Sequence, residues 1–330
     1  MKALVTGAAG FIGAHVSRVL SSEGVAVRAF DAQEPPAHAA ASEWAQGDVL
    51  DPGALRRAVD GCDAIFHLAA VYSYYRRDAA RMQHVNVEGT RNVLAAAGER
   101  RVVHTSSAAT CGPVPGRQAT EADSPPAWEL KVAYKRSKIE SERLALDAGA
   151  LVVNPTTPVG PGDARPTPTG KMIRDVAAGR ARAYVSSTGL NVVSVEDVAR
   201  GHVLAYERGR AGERYLLGGE DLSLGELFAM VARAAGREPP RVALPFPLVL
   251  AGAWLADRAL AAAGREPELL VLDAVRLARI PAFFTSDKAR GELGYSWRPA
   301  RQALEEAVAN RIEQPPPVSD RLDPTSGGLA

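Results

Sequence analysis

An α/β fold, a doubly wound parallel sheet with a smaller C-terminal α+β substrate lobe, is predicted by three observations. Short apolar runs recur at residues 2–6, 25–30, 63–68, 102–105 and 151–154, the length of buried strands. Segments with apolar residues at helical spacing, such as 11–20 and 52–59, separate them. The first run meets the first helix at Gly7-Ala8-Ala9-Gly10-Phe11-Ile12-Gly13, a G-x-x-G-x-x-G turn. The 330 residues leave room for a second unit beyond the sheet.

Each glycine of the turn meets a physical need. Gly7 allows a sharp exit from the strand, Gly10 lets backbone N–H groups approach a pyrophosphate, and Gly13 lets the helix pack tightly on the strand. The helix N-terminus then offers unsatisfied N–H groups and partial positive charge to phosphates. The second strand ends in Asp31, a carboxylate able to accept hydrogen bonds from an adenosine ribose. Asp48, before Val49, falls where a third strand should end. It either receives the adenine amino group or caps the helix 52–59.

The fourth strand runs into Leu68, Ala69 and Ala70, small enough at the alanines for backbone to lie against a dinucleotide. His67 has no metal-ligating neighbour in sequence and reads as a packed structural histidine, so no metal site is expected. The stretch Val71-Tyr72-Ser73-Tyr74-Tyr75-Arg76-Arg77 either lines a substrate mouth or forms a solvated loop. Asn86 opens a helix continuing through Ala97.

The fifth strand ends in Ser106-Ser107. Downstream, Tyr134 and Lys138 stand four apart on a helical run, hence on one face. An ammonium near a phenol favours the phenolate and draws its pKa from near 10 toward neutrality. Tyr134 is then a proton donor or acceptor at a carbonyl or alcohol oxygen, with the Ser107 hydroxyl positioning that oxygen. After the sixth strand, Pro155, Thr156 and Thr157 lead the chain over the nicotinamide end of the cofactor.

Residues 1–157 are expected to form the dinucleotide-binding domain, with 190–210 returning to it. Residues 158–189 and 211–311 would form the substrate lobe, and 312–330 a disordered tail, given the Pro, Ser, Gly and Asp of its last stretch. A net charge of +1 gives no electrostatic case for nucleic acid. Two cysteines, Cys62 and Cys111, argue against a disulfide framework and fit a reducing cytosol. The N-terminus enters a strand at once, which leaves no signal peptide, so a cytoplasmic location is expected. The apolar tract 242–263 is interrupted by Pro245, Pro247, Asp257 and Arg258, too early for a membrane span.

These motifs carry a resemblance. Residues Thr6 to Gly13, His67 to Ala70, Asn86-Val87-Glu88-Gly89-Thr90, Thr105-Ser106-Ser107, Tyr134 with Lys138, and Asn154-Pro155 resemble the extended short-chain dehydrogenase/reductases of the NAD-dependent epimerase/dehydratase superfamily. Dihydroflavonol reductases, nucleotide-sugar epimerases and 3β-hydroxysteroid dehydrogenases share them. Residues 166–170, 188–191, 212–220 and Phe283-Phe284 are similar to the hopanoid-associated sugar epimerases. The resemblance implies a Rossmann-type domain, bound NAD or NADP, a Ser107–Tyr134–Lys138 catalytic set and a homodimer. It implies cofactor contacts from Gly7, Gly10, Phe11, Ile12, Gly13, Asp31, Asp48, Val49, Leu68, Ala69, Ala70, Ser106, Tyr134, Lys138, Pro155, Thr156 and Thr157. Asp31 would face a 2′-phosphate as like charge, so NAD is the expected cofactor, with NADP possible because Arg28 could soften that repulsion; relatives often carry Arg where Asp31 stands, so their cofactor choice does not transfer.

The expected activity is hydride transfer at a secondary alcohol or ketone of a small-molecule substrate. The narrower resemblance leans to an epimerase on a sugar-like or polyol substrate. A ketone reductase or hydroxysteroid-type dehydrogenase on an aromatic or lipid substrate is the rival, kept open by the tyrosines at 72, 74 and 75. A non-catalytic dinucleotide sensor is disfavoured because Ser107, Tyr134 and Lys138 are all present. A nucleotide sugar would need arginines placed for its diphosphate, among Arg165, Arg174, Arg180, Arg182, Arg276 and Arg279.

Overall fold

The computed structural model describes residues 1–36, 39–163, 167–262 and 271–313; the tail from 314, Arg165 and Pro166 lie outside the described residues. The chain opens β1 (Lys2–Thr6), α1 (Phe11–Ser22), β2 (Ala26–Asp31), β3 (Glu43–Gln46), α2 (Pro52–Val59) and β4 (Ala64–His67). A helical run follows: α3 (Ala79–Met82), a π-helical stretch Gln83–Glu88, and α4 (Gly89–Ala97). Then come β5 (Arg101–Thr105), α5 (Ala133–Asp147), β6 (Leu151–Pro155), β7 (Thr157–Val159), α6 (Pro168–Ala177), β8 (Ala183–Val185), β9 (Gly189–Ser194) and α7 (Val195–Arg208). The chain continues with β10 (Arg214–Leu217), β11 (Glu220–Ser223), α8 (Leu224–Ala234), β12 (Val242–Leu244), α9 (Phe246–Ala262), α10 (Leu272–Leu277), α11 (Asp287–Leu293) and α12 (Ala300–Glu313).

Seven strands form one parallel sheet in the order β10-β6-β5-β4-β1-β2-β3. This is the Rossmann-type doubly wound sheet. The order reverses at β1, so a crevice opens between the C-terminal ends of β1 and β4, where ligands bind in such sheets. Thr6, at the end of β1, stands in register with both Phe30 and His67. On one face Val5, Phe66, Val103 and Val153 pack against residues of α1 and α7. On the other, Leu4, Ile65, Val102 and Val152 meet α2 and α4. Burial on both faces is why these strands read as unbroken apolar runs.

Three placements differ from the sequence reading. Residues 214–217 were expected in the lobe, but β10 pairs with β6 as the sheet's edge, Tyr215 opposite Val153. Residues 191–194 were expected to rejoin the nucleotide domain, but β9 lies between β11 and β7 in a separate three-stranded sheet, while α7 packs on the main sheet against α1. Helix begins at Ala79 rather than Asn86, which sits in the π-helical stretch. The three-stranded sheet and α6, α8 and α12 share a second core, with Val192, Leu227, Val231 and Leu304 inside it.

The tract 242–263 resolves into β12 and the 17-residue α9. Leu248 is 65% exposed and Leu255 60%. Among the described residues no helix is long and apolar enough to cross a membrane.

Candidate active site

The turn after β1 has the backbone its glycines imply. Gly7 takes φ +71°, and a Cβ there would stand 2.6 Å from the Ala69 nitrogen. A Cβ on Gly13 would stand 2.1 Å from the Gly7 carbonyl oxygen. Gly10 is the N-cap of α1 with no side-chain cap, so the first-turn N–H groups of Phe11, Ile12 and Gly13 have no side chain covering them. Phe11 packs edge-on against His15, and Ile12 packs against the core.

Asp31 closes β2 beside this turn. Its Oδ2 accepts from the Ala9 N–H and its Oδ1 from the Gln33 N–H, each at 3.0 Å. These bonds fix the carboxylate and leave lone pairs for a diol. Across the crevice, Leu68 N donates to the Thr6 carbonyl at 3.1 Å, with the half-buried Ala69 and exposed Ala70 following. At the ends of β5 and β6, the buried hydroxyls of Ser106 and Thr156 have no partner among the described residues. Pro155 is buried at the end of β6, and Thr157 begins β7. An uncapped helix terminus, an anchored carboxylate and two orphaned hydroxyls along one crevice fit a dinucleotide.

Asp48 and Arg28 stand apart from part of the expectation. Asp51, not Asp48, caps α2, its Oδ1 accepting from Gly53 N at 2.8 Å and Ala54 N at 3.1 Å. Asp48 is exposed and accepts from Leu50 N at 2.9 Å, just before the buried Val49. Arg28 does not face a ribose: it binds Glu43 at 2.7 Å and the carbonyls of Ala58 and Asp60. His67 is the packed histidine expected. Thr6 and Thr90 hold its two nitrogens at 2.7 and 3.0 Å, and burial lowers its pKa to about 3, so it is neutral. Among the described residues no group of His, Cys, Asp or Glu could hold a metal.

Ser107, Tyr134 and Lys138 converge at the C-terminal end of β5. The Ser107 hydroxyl acts on the Tyr134 phenol and pulls its pKa down. It also accepts from Ala109 N at 3.2 Å as the cap of a short 3-10 turn. The Lys138 ammonium donates to the Thr105 carbonyl at 2.8 Å. Burial lowers the Lys138 pKa to about 8, with the Glu142 carboxylate opposing the drop. The phenol does not shift as the sequence suggested. Burial lifts the Tyr134 pKa well above its ordinary value, and the Ser107 bond only partly offsets this. Without a ligand Tyr134 is a protonated acid.

The loop after β4 folds onto this phenol. Ring centroids of Tyr72 and Tyr134 are 4.5 Å apart, and Tyr74 meets Tyr134 edge-on at 6.1 Å. The Tyr72 and Tyr74 hydroxyls share a 3.0 Å hydrogen bond. Asn86 holds the loop's start, accepting from Val71 N at 2.7 Å and donating to the Val71 carbonyl and the Ser137 hydroxyl at 3.0 Å. Its place in the π-helical stretch brings its amide to both loop and α5.

Glu142, one turn beyond Lys138, was not singled out by the sequence. It accepts from Thr110 Oγ1 at 2.7 Å, Asn154 Nδ2 at 2.6 Å and Arg214 Nη1 at 2.5 Å. Asn154 also donates to the Ser107 carbonyl at 3.1 Å, so this network holds the Ser107 turn. A buried Glu129–Lys135 ion pair brackets Tyr134, with Lys135 reaching the Gly112 carbonyl at 2.7 Å. The only signal in sequence was helical phase, which puts Glu142 on the face of Lys138. Of the arginines considered for a diphosphate, Arg180 pairs with Asp175 at 2.6 Å and Arg276 with Asp273 at 3.0 Å.

Residues 3–218 match the model of the NAD dependent epimerase/dehydratase family. A putative dihydroflavonol 4-reductase of Synechocystis sp. is 38% identical over 92% of both chains. Sterol demethylase protein B of Methylococcus capsulatus is 35% identical over 94% of this chain and 98% of its own. The solved structure of gox2253 superposes with a TM-score of 0.81 at 42% identity, covering 94% of this chain and 98% of that one.

Proposed function

The chain belongs to the NAD dependent epimerase/dehydratase family, and on that premise we propose that it reduces a ketone to a secondary alcohol, or reverses that step, with an exchangeable nicotinamide cofactor. The carrying observation is that Ser107, the half-buried Tyr134 and the buried Lys138 come together at the end of β5, with Lys138 anchored on the Thr105 carbonyl. The nicotinamide, when bound, supplies the hydride. In this reading Tyr134 donates its proton to the carbonyl oxygen, and Ser107 holds that oxygen by a second hydrogen bond. The Lys138 ammonium stabilises the phenolate that remains.

An epimerase uses the same residues but keeps its cofactor through oxidation and re-reduction. The reductase is preferred because one relative is named a putative dihydroflavonol 4-reductase and another is named for a sterol. The test is cofactor accounting. Freshly purified protein should release little dinucleotide on denaturation and should oxidise one NAD(P)H per ketone reduced. Tightly retained dinucleotide and substrate inversion without added cofactor would install the epimerase instead.

Asp31 sets the cofactor preference in this proposal. Its carboxylate would meet a 2′-phosphate as like charge, and Arg28 is engaged with Glu43. Calorimetric titration is expected to show tighter binding of NADH than of NADPH. Asp31→Ala should narrow the gap; a wild-type preference for NADPH would overturn the assignment.

A further inference from the structure

Resting on the ketone-reductase reading, we propose that Tyr72 and Tyr74 select the substrate, forming an aromatic wall for a flat, fused-ring apolar ketone that carries a second oxygen. The wall begins at the reacting hydroxyl. Tyr72 lies tilted over Tyr134 at 4.5 Å, and Tyr74 meets Tyr72 edge-on at 5.4 Å. Beyond Tyr74 a small hollow is lined by Tyr75, Val271 and Leu272, at the start of α10, and at its polar end by Arg76, Asp257 and Asp273. A ligand whose carbonyl reaches Tyr134 therefore lies along ring faces. Such faces give a flat apolar body contact area and quadrupole interactions. Ring faces leave most hydroxyls of a sugar ring without partners, and a desolvated hydroxyl without a partner is costly.

The wall is prebuilt. Asn86 clamps Val71 on both its backbone groups. Ser73 donates to Asp78 at 2.5 Å and accepts from Tyr75 N at 3.1 Å, closing the loop on itself. Arg76 pairs with Asp257 at 2.6 Å and ties the loop to α9. Tyr72 nonetheless stays 39% exposed, a large ring left open in a fixed loop beside the reacting group. Proton counting gives the second oxygen. The two phenols hold two O–H protons and their mutual bond uses one. The other can donate to an oxygen on the ligand away from the reacting carbonyl.

The experiment uses equilibrium dialysis of the full chain with saturating NADH, with progesterone and UDP-glucose as the probes. Wild-type protein is expected to bind progesterone more tightly than UDP-glucose. Tyr72→Ser and Tyr74→Ser should each weaken progesterone binding by about tenfold, the scale of a lost aromatic contact plus its buried area, at unchanged NADH affinity. Tyr72→Phe keeps the ring and should lose much less. A serine variant that fails to bind NADH is replaced by leucine at the same position, which fills the volume without a ring face. UDP-glucose binding as tight as progesterone, no progesterone binding to wild type, or progesterone affinity unchanged in both variants would overturn the proposal. NADH oxidation with ketones is read separately. Selective binding without turnover would remove the reductase reading and leave the wall standing.

Discussion

Tyr134→Phe is expected to reduce turnover by ~10²–10⁴-fold or more while leaving NADH affinity nearly unchanged. The ring stays and keeps its packing against Tyr72 and Tyr74, so the fold and the cofactor crevice have no reason to change. What disappears is the one acidic proton held beside Ser107. Single-turnover kinetics with bound NADH would measure the loss directly. Near-normal turnover in this variant would remove Tyr134 from the chemistry. Ser107→Ala should be milder, because the phenol alone still delivers the proton.

Glu142→Ala should cost about 3–5 kcal/mol of stability, the scale for removing one partner of a buried ion pair. Arg214, with 21% of its side chain exposed, would keep its charge and lose its carboxylate. Thr110 and Asn154 would lose their acceptor as well, and with it the support under the Ser107 carbonyl. Urea unfolding followed by far-UV circular dichroism would show a lower midpoint with little change in slope. The double change Glu142→Met with Arg214→Met should recover much of the loss, since neither charge is then stranded. A single-variant midpoint equal to wild type would mean that water already supports Arg214.

The readable part of this protein is the part whose physics is local. The glycine turn was legible because Gly7 must reach φ +71° and Gly13 must lie against the Gly7 carbonyl. The strands were legible because burial on both faces forces apolar runs. The Tyr134–Lys138 pair was legible from helical spacing, although the spacing alone misjudged the phenol: burial raises its pKa, and the ammonium turns to Thr105. Asp48 shows the limit even of local rules, since a capping residue three positions away won the helix.

By itself the sequence determined the glycine turn between β1 and α1, the alternation of strands and helices, and the residue types able to carry proton chemistry. Each of these is set within one turn of helix or one strand and its exit. Only the tertiary structure decided that β10 completes the main sheet while β9 leaves it, because both are short apolar strands and their partners are chosen by packing. It also decided that Arg28 faces Glu43, that Glu142 joins Arg214 to the Ser107 turn, and that two loop tyrosines cover Tyr134. Those contacts join residues 15 to 72 positions apart, and side-chain direction at such a distance is fixed by the folded core rather than by any neighbour in the chain.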